Sequence, residues 1–154
     1  MTFKTQPGSK HRLKSCPEED AFVDLLRTTD LLSRRLSPVL KAEELSPTQY
    51  NVLRILRGAG GDLACGELGN RMITRDPDIT RLLDRLEKRN LISRHRDTRD
   101  RRAVMTRITP DGLKLLARLD EPVQAAHRQQ LGHLGRQRLH ALSELLSIAR
   151  SEID

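Results

Sequence analysis

From residue 17 to about residue 40, apolar side chains recur at helical intervals, with Phe22, Leu25, Leu26, Leu32 and Leu36 separated by charged and polar positions. Pro17 followed by Glu18, Glu19 and Asp20 predicts where this long first helix begins. Proline suits the first helical position, and acidic side chains complement the positive end of the helix dipole. Ser46, Pro47, Thr48 and Gln49 spell a capping box with proline in its first turn, which predicts a second helix through Tyr50, Val52, Leu53, Ile55 and Leu56, ended by Gly58, Gly60 and Gly61. Leu63 and Ala64 are a candidate short strand. A short helix over 66–72 follows, with Leu68 and Met72 facing inward.

The clearest stripe is Ile79, Leu82, Leu83 and Leu86, at i, i+3, i+4 and i+7. Asp76 is the expected N-cap of this helix and Pro77 its first residue. The opposite face then carries Asp78, Thr80, Arg81, Asp84, Arg85 and Lys88, and Asn90 takes the left-handed position that ends the helix. The period next shortens toward two. Residues 91–96 and 103–108 read as two antiparallel strands joined by a tight arginine-rich loop over 97–102. Thr109 and Pro110 start a further helix with Leu113, Leu115, Leu116 and Leu119. A last helix over 137–153 is expected to bury Leu139, Leu142, Leu145, Leu146 and Ala149.

Composition narrows the partner. The chain has 154 residues, and aromatics are limited to Phe3, Phe22 and Tyr50, so leucine, isoleucine and valine must fill a thin core, which favours helices. The net charge of +7 calls for a polyanion, either nucleic acid or an anionic membrane surface. Between residues 71 and 107 there are twelve basic and six acidic side chains, which puts nearly all of the excess in one segment without interfacial aromatics. That distribution favours nucleic acid: a basic helix for a major groove and an arginine hairpin for the neighbouring minor groove.

Other classes find little support. No stretch approaches a transmembrane span or a signal peptide, and Cys16 and Cys65 do not make a disulfide framework, so a cytoplasmic location is expected. No hydrolase triad, phosphate-binding glycine loop or nucleotide fingerprint is present, so neither enzymatic activity nor a cofactor is expected. His127, His133 and His140 are spaced by six and seven residues, which does not place ligands side by side on one helix face, and no metal site is expected. Cys16, beside a helix start and near Lys14 and Arg12, is a candidate redox thiol; Cys65 reads as a small buried residue.

The order of elements is that of a mainly α, α+β fold: a winged helix-turn-helix with N- and C-terminal helices forming a platform. At the residue level, the run ITRLLDRLEKRNLISR over 79–94 and the run RDTRDRRAVMTRIT over 96–109, followed by Pro110, Asp111 and Gly112, resemble the recognition helix and wing of the multiple-antibiotic-resistance regulator (MarR) family. The resemblance covers roughly residues 18–150. Asn90 stands where that family usually has glycine, and the tyrosine pair and helix-embedded cysteine of its peroxide sensors are absent.

The resemblance implies a ligand-responsive repressor that binds double-stranded DNA specifically, with Arg102 entering the minor groove and Asp100 orienting its guanidinium. It also implies an aromatic or phenolic effector. From the residues themselves, Thr80, Arg81 and Arg85 are the candidate base-reading and phosphate-contacting side chains, with Arg75 and Asp78 at the entrance of the helix, and Arg96, Arg99 and Arg101 complete the wing. The organisation expected is a basic arm over 1–15, a DNA-binding domain over 46–109, and a helical dimerisation region over 16–45 and 110–154. The terminal helices are too long and apolar for one small core, which suggests a homodimer on a pseudo-palindrome. The alternatives are a winged-helix protein–protein module and a nonspecific nucleic-acid binder.

Overall fold

The computed structural model describes residues 16–74 and 76–151; the expected basic arm and Arg75 lie outside the described residues. Six α-helices and three short strands follow one another: α1 Pro17–Lys41, α2 Pro47–Ala59, β1 Leu63–Ala64, α3 Cys65–Arg71, α4 Ile79–Lys88, β2 Ile92–Arg96, β3 Val104–Ile108, α5 Pro110–Leu131 and α6 Gly135–Ser151. A single 3-10 turn, Gly132–Leu134, separates the last two. The chain divides into two compact units, Met1–Ser33 and Arg34–Asp154.

Local chemistry sets the helix ends. Ser46 Oγ accepts the amide of Gln49 at 3.1 Å while Gln49 Oε1 accepts the amide of Ser46 at 2.9 Å, the reciprocal box expected from sequence. Gly58 does not end α2 but lies inside it; the left-handed residue is Gly60, at φ 64°. Asn90 ends α4 at φ 55°, and the amide of Leu91 donates to Leu86 O. Thr109 Oγ1 accepts the amide of Gly112 and donates to Asn90 O at 2.6 Å, so one hydroxyl caps α5 and ties it to the end of α4.

The second unit owns the core. Leu40, Leu53, Leu56, Leu68, Leu83, Leu86, Ile92, Leu116 and Leu119 are fully buried, and Tyr50 is the one buried aromatic among the described residues. The sheet has the order β1-β3-β2, all antiparallel, with Ile92 opposite Ile108 and Arg96 opposite Val104 at the far end of the hairpin. β1 covers the other edge of β3, pairing Leu63 with Thr106. Thr106 is completely buried and its hydroxyl has no hydrogen-bond partner among the described residues. Thr106→Val, which keeps the shape and removes the stranded hydroxyl, is expected to stabilise the fold by about 1 kcal/mol. An unchanged or lower melting temperature would contradict this.

Two expectations need correction. Leu113 on α5 is 43% exposed rather than inward. More importantly, α6 buries no residue at all: of the expected core positions Leu142, Leu145 and Ala149 are exposed and Leu139 and Leu146 only partly covered, and Ile148 is exposed as well. Helical periodicity reports an apolar face, not what covers it. In the first unit, α1 likewise presents Phe22, Leu25, Leu26 and Leu31 to solvent.

α2 and α5 are joined by a forked ion pair, Arg57 Nη1 and Nη2 to the two Asp120 oxygens, each at 2.9 Å. Hydrogen bonding from Arg57 holds the Asp120 carboxyl below its ordinary value of 3.8, against a smaller opposing effect of burial. A carboxyl depressed in the folded state stabilises it above the ordinary value, and that contribution disappears as pH falls below about 3.8. Asp120→Asn is therefore expected to lower the melting temperature at neutral pH and to match the parent in strong acid. A difference that persists unchanged into acid would exclude the ion pair as its origin.

Candidate nucleic-acid interface

The helix meant to read DNA starts later than its sequence suggests. Asp78, not Asp76, is the N-cap of α4: its Oδ1 accepts the amide of Arg81 at 3.2 Å, and its Oδ2 lies 3.2 Å from Arg81 Nε. Asp76 instead accepts the amide of Asp78 at 2.9 Å, so Pro77 occupies the turn and not the first helical residue. Both aspartates can cap, and a side chain two residues upstream favours a local turn over the helix. The inner stripe is as expected, with Leu82, Leu83 and Leu86 buried and Ile79 partly so.

Thr80, Arg81, Arg85 and Lys88 are exposed on the outer face. Asp84 is not free there. With Glu87 it receives the guanidinium of Arg94 from β2, whose Nε lies 3.0 Å and Nη2 2.6 Å from Glu87 Oε2. These bonds, with Glu87 contributing most, raise the Arg94 pKa further above its ordinary value, so the charge is permanent. Arg94 retains 21% of its side-chain exposure and welds α4 to the first strand of the hairpin.

The hairpin tip is built by its aspartates. The amide of Asp97 donates to Ala103 O at 3.0 Å and that of Ala103 to Asp100 O at 2.9 Å, closing the loop. Asp97 Oδ1 accepts the amide of Arg99 and Asp100 Oδ1 accepts the amide of Arg102, each at 2.9 Å. Asp100 thus acts on the backbone of Arg102, whereas the expected contact was to its guanidinium; among the described residues no ion pair joins the two side chains. Arg96 turns into the loop, its Nη1 donating to Arg101 O at 2.8 Å. Arg99, Arg101 and Arg102 are left exposed with no acidic partner among the described residues.

The basic residues of the segment therefore divide into two groups. Arg71 pairs with Glu67, Arg94 with Asp84 and Glu87, and Arg107 with Asp62, which also lies 3.5 Å from His95. Arg89 donates to the carbonyls of Glu43 and Glu44 at 3.0 and 2.7 Å, satisfying acceptors at the end of α1. Arg89, Arg94 and Arg107 thus tie separate elements together, while Arg71 pairs within α3. Arg81, Arg85, Lys88, Arg99, Arg101 and Arg102 remain available to a ligand, the first while still paired with Asp78.

Three functional supports were not legible in the sequence. Arg94 and Arg89 look like any other charge of the basic run, and only the acidic pair Asp84 and Glu87 on one helix face hints at a cation between them. Asn51 on α2 accepts the amide of Ile73 at 2.9 Å and so fixes the turn that leads into α4. Elsewhere, Cys16 is exposed and its Sγ donates to Glu18 Oε2 at 3.0 Å, away from this surface in sequence. Among the described residues no cluster of histidine, cysteine or carboxylate side chains is placed to hold a metal ion, and no helix is long and apolar enough to cross a membrane.

Comparison with known proteins agrees with this architecture. The sequence model of the MarR family matches residues 45–104, from the end of the α1–α2 loop to the start of β3. The chain is 28% identical over 125 residues to the HTH-type transcriptional regulator FarR of Neisseria gonorrhoeae, covering 81% of this chain and 85% of FarR. It is 40% identical to the crystal structure of a MarR transcription factor from Planctomyces limnophilus, covering 89% of this chain and 99% of that one, with a TM-score of 0.67. It is also 27% identical to the structure of NadR in complex with 4-hydroxyphenylacetate, covering 86% and 96% of the two chains at a TM-score of 0.73. A winged helix-turn-helix with this degree of likeness along almost the whole of a relative leaves one assignment: the chain is a member of the MarR family of DNA-binding transcriptional regulators.

Proposed function

We propose that the protein represses transcription by binding, as a homodimer, a pseudo-palindromic operator, reading bases with Thr80, Arg81 and Arg85 and inserting Arg102 into the adjacent minor groove. Arg75, which precedes the reading helix in the sequence, and Asp78 at its start are the further candidates there, and Arg96, Arg99, Asp100 and Arg101 build and charge the wing. The observation that carries this reading is that Arg94 fixes the hairpin to α4 while Arg85 and Lys88 of α4 and Arg99, Arg101 and Arg102 of the loop stay exposed without an acidic partner among the described residues, and Arg81 stays exposed beside Asp78. Exposed cations gathered on two neighbouring elements are the electrostatic footprint of a surface that binds a polyanion.

Dimerisation is supported by the apolar faces that each unit leaves uncovered, Phe22, Leu25 and Leu26 in one, Leu142, Leu145 and Ile148 in the other. A two-fold pair would set its reading helices about one turn of DNA apart, ~34–36 Å. The division of labour is then 46–109 for DNA and 16–45 with 110–154 for the dimer, and the location is the cytoplasm. The role is regulatory rather than catalytic.

For the effector, the binding of 4-hydroxyphenylacetate by NadR supports an aromatic acid. A cavity of about 180 Å³ between α2 and α5 is lined among others by Tyr50, Arg54, Arg57, Asp120 and His127; with Arg57 held by Asp120, Arg54, 5.8 Å from the Tyr50 ring centre, is the guanidinium there for the carboxylate of such a molecule. A ligand there would shift affinity only by favouring one separation of the reading helices over another. Gel shift against the DNA upstream of the gene, competed with random DNA and with RNA, tests the core of this reading. Competition by random DNA and by RNA as effective as that by the unlabelled upstream DNA would leave a nonspecific binder; no shift at all would leave a protein–protein module.

A further inference from the structure

We propose that Ile73 is a specificity-determining residue of the DNA surface, its side chain meeting the C5 methyl of a thymine in the major groove beside α4. The inference rests on the DNA-binding reading above and adds to it an apolar contact among charged ones. Ile73 is 86% exposed, the highest value among the exposed large apolar side chains. Its neighbours in the chain are accounted for: Met72 is buried, and Ile79 packs against Gly69.

This exposure is not that of a loose loop. The amide of Ile73 is held by Asn51 Oδ1 at 2.9 Å, and at the other end of the turn Asp76 Oδ1 holds the amide of Asp78 at 2.9 Å. The side chain is therefore presented from a backbone anchored at Ile73 itself, five residues before the cap of the reading helix in the sequence. At ~3.5 Å per residue that is at most about 18 Å from it.

The chemistry selects the occupant. Arg71, Thr74 and Asp78 near it in the chain are exposed and polar, so the sequence around Ile73 supplies no run of apolar side chains of the kind that a protein partner needs. An isolated side chain without donors or acceptors can distinguish DNA sequences only through an apolar group, and the thymine methyl is the one that the major groove offers.

The test begins with duplexes enriched by the protein from a random-sequence library, in which each thymine is replaced in turn by deoxyuracil. The parent protein is expected to lose about fourfold in affinity at one thymine per half-site, the value that corresponds to ~0.8 kcal/mol per buried methyl-sized group. Ile73→Ala should lose the same factor on the unmodified duplex, lose nothing more on the uracil duplex, and keep the parent's melting temperature and salt dependence. If Ile73→Ala binds and responds to uracil as the parent does, or if it melts markedly lower, the inference is overturned while the DNA reading stands. Failure to enrich any sequence would overturn both.

Discussion

Gly112→Ala is expected to destabilise the protein by about 1–3 kcal/mol, seen as a fall in melting temperature of roughly 2–12 °C at fixed protein concentration. Gly112 is in the first turn of α5, and an added Cβ would lie 2.3 Å from Leu91 O and 2.7 Å from Ile108 Cγ1. The first obstacle is main chain, and it already accepts the amide of Thr109 at 3.1 Å, so it cannot swing aside as a flexible side chain can. Relief must come from moving α5 away from the junction of α4 and β2, where Asn90 Nδ2 also donates to Asp111 at 2.9 Å. The change should therefore weaken DNA binding as well as folding, since that junction sets the base of the wing. Gly66→Ala is the control: nothing lies within 4 Å of its added Cβ, and as an exposed helical glycine it should stabilise by about 0.5–1 kcal/mol. If both variants melt alike, close packing at Gly112 is not what requires glycine.

Arg102→Ala is expected to reduce specific affinity by at least tenfold, from the ~1.5–3 kcal/mol of a charged hydrogen bond, and to flatten the dependence of log K on log salt by about 0.9 for each phosphate that the variant no longer neutralises. A guanidinium delivered to a narrow minor groove gains more than one on open backbone, because the groove concentrates negative potential. Asp100 separates two accounts of how that arginine is positioned. Because Asp100 Oδ1 accepts the backbone amide of Arg102, an uncharged carbonyl oxygen should serve as well. Asp100→Asn should bind operator like the parent, while Asp100→Ala should lose affinity through a looser loop. If the asparagine variant is as weak as the alanine variant, the carboxylate charge acts on the guanidinium in the complex, as the family resemblance implies. A parent-like isotherm and salt slope for Arg102→Ala would remove the wing from the site.

The charge of the basic segment was readable in the sequence but overstated the interface. Twelve basic side chains look equivalent as letters, yet Arg71, Arg89, Arg94 and Arg107 are committed to internal partners. For all but Arg71 those partners come from other elements, at sequence separations as large as 46 for Arg89 with Glu43, which no local pattern encodes. The start of α4 was misplaced for the opposite reason: Asp76 and Asp78 are both good caps, and the choice between them rests on which amide each can reach once the turn is formed.

What the sequence determined by itself is whatever is settled within a few residues. That includes the helix stripes, the Ser46 and Thr109 caps, the left-handed Asn90 and the wing flanked by alternating strands, because caps, turns and periodicity are short-range physics. Tertiary structure alone decided which arginines face outward, that Gly112 is hemmed in by Leu91 O, that Ile73 is exposed while Asn51 holds its amide, and that the apolar face of α6 finds no cover within its own unit. Those outcomes depend on long-range pairing and burial, and a side chain's chemistry fixes what it needs but not which neighbour will supply it.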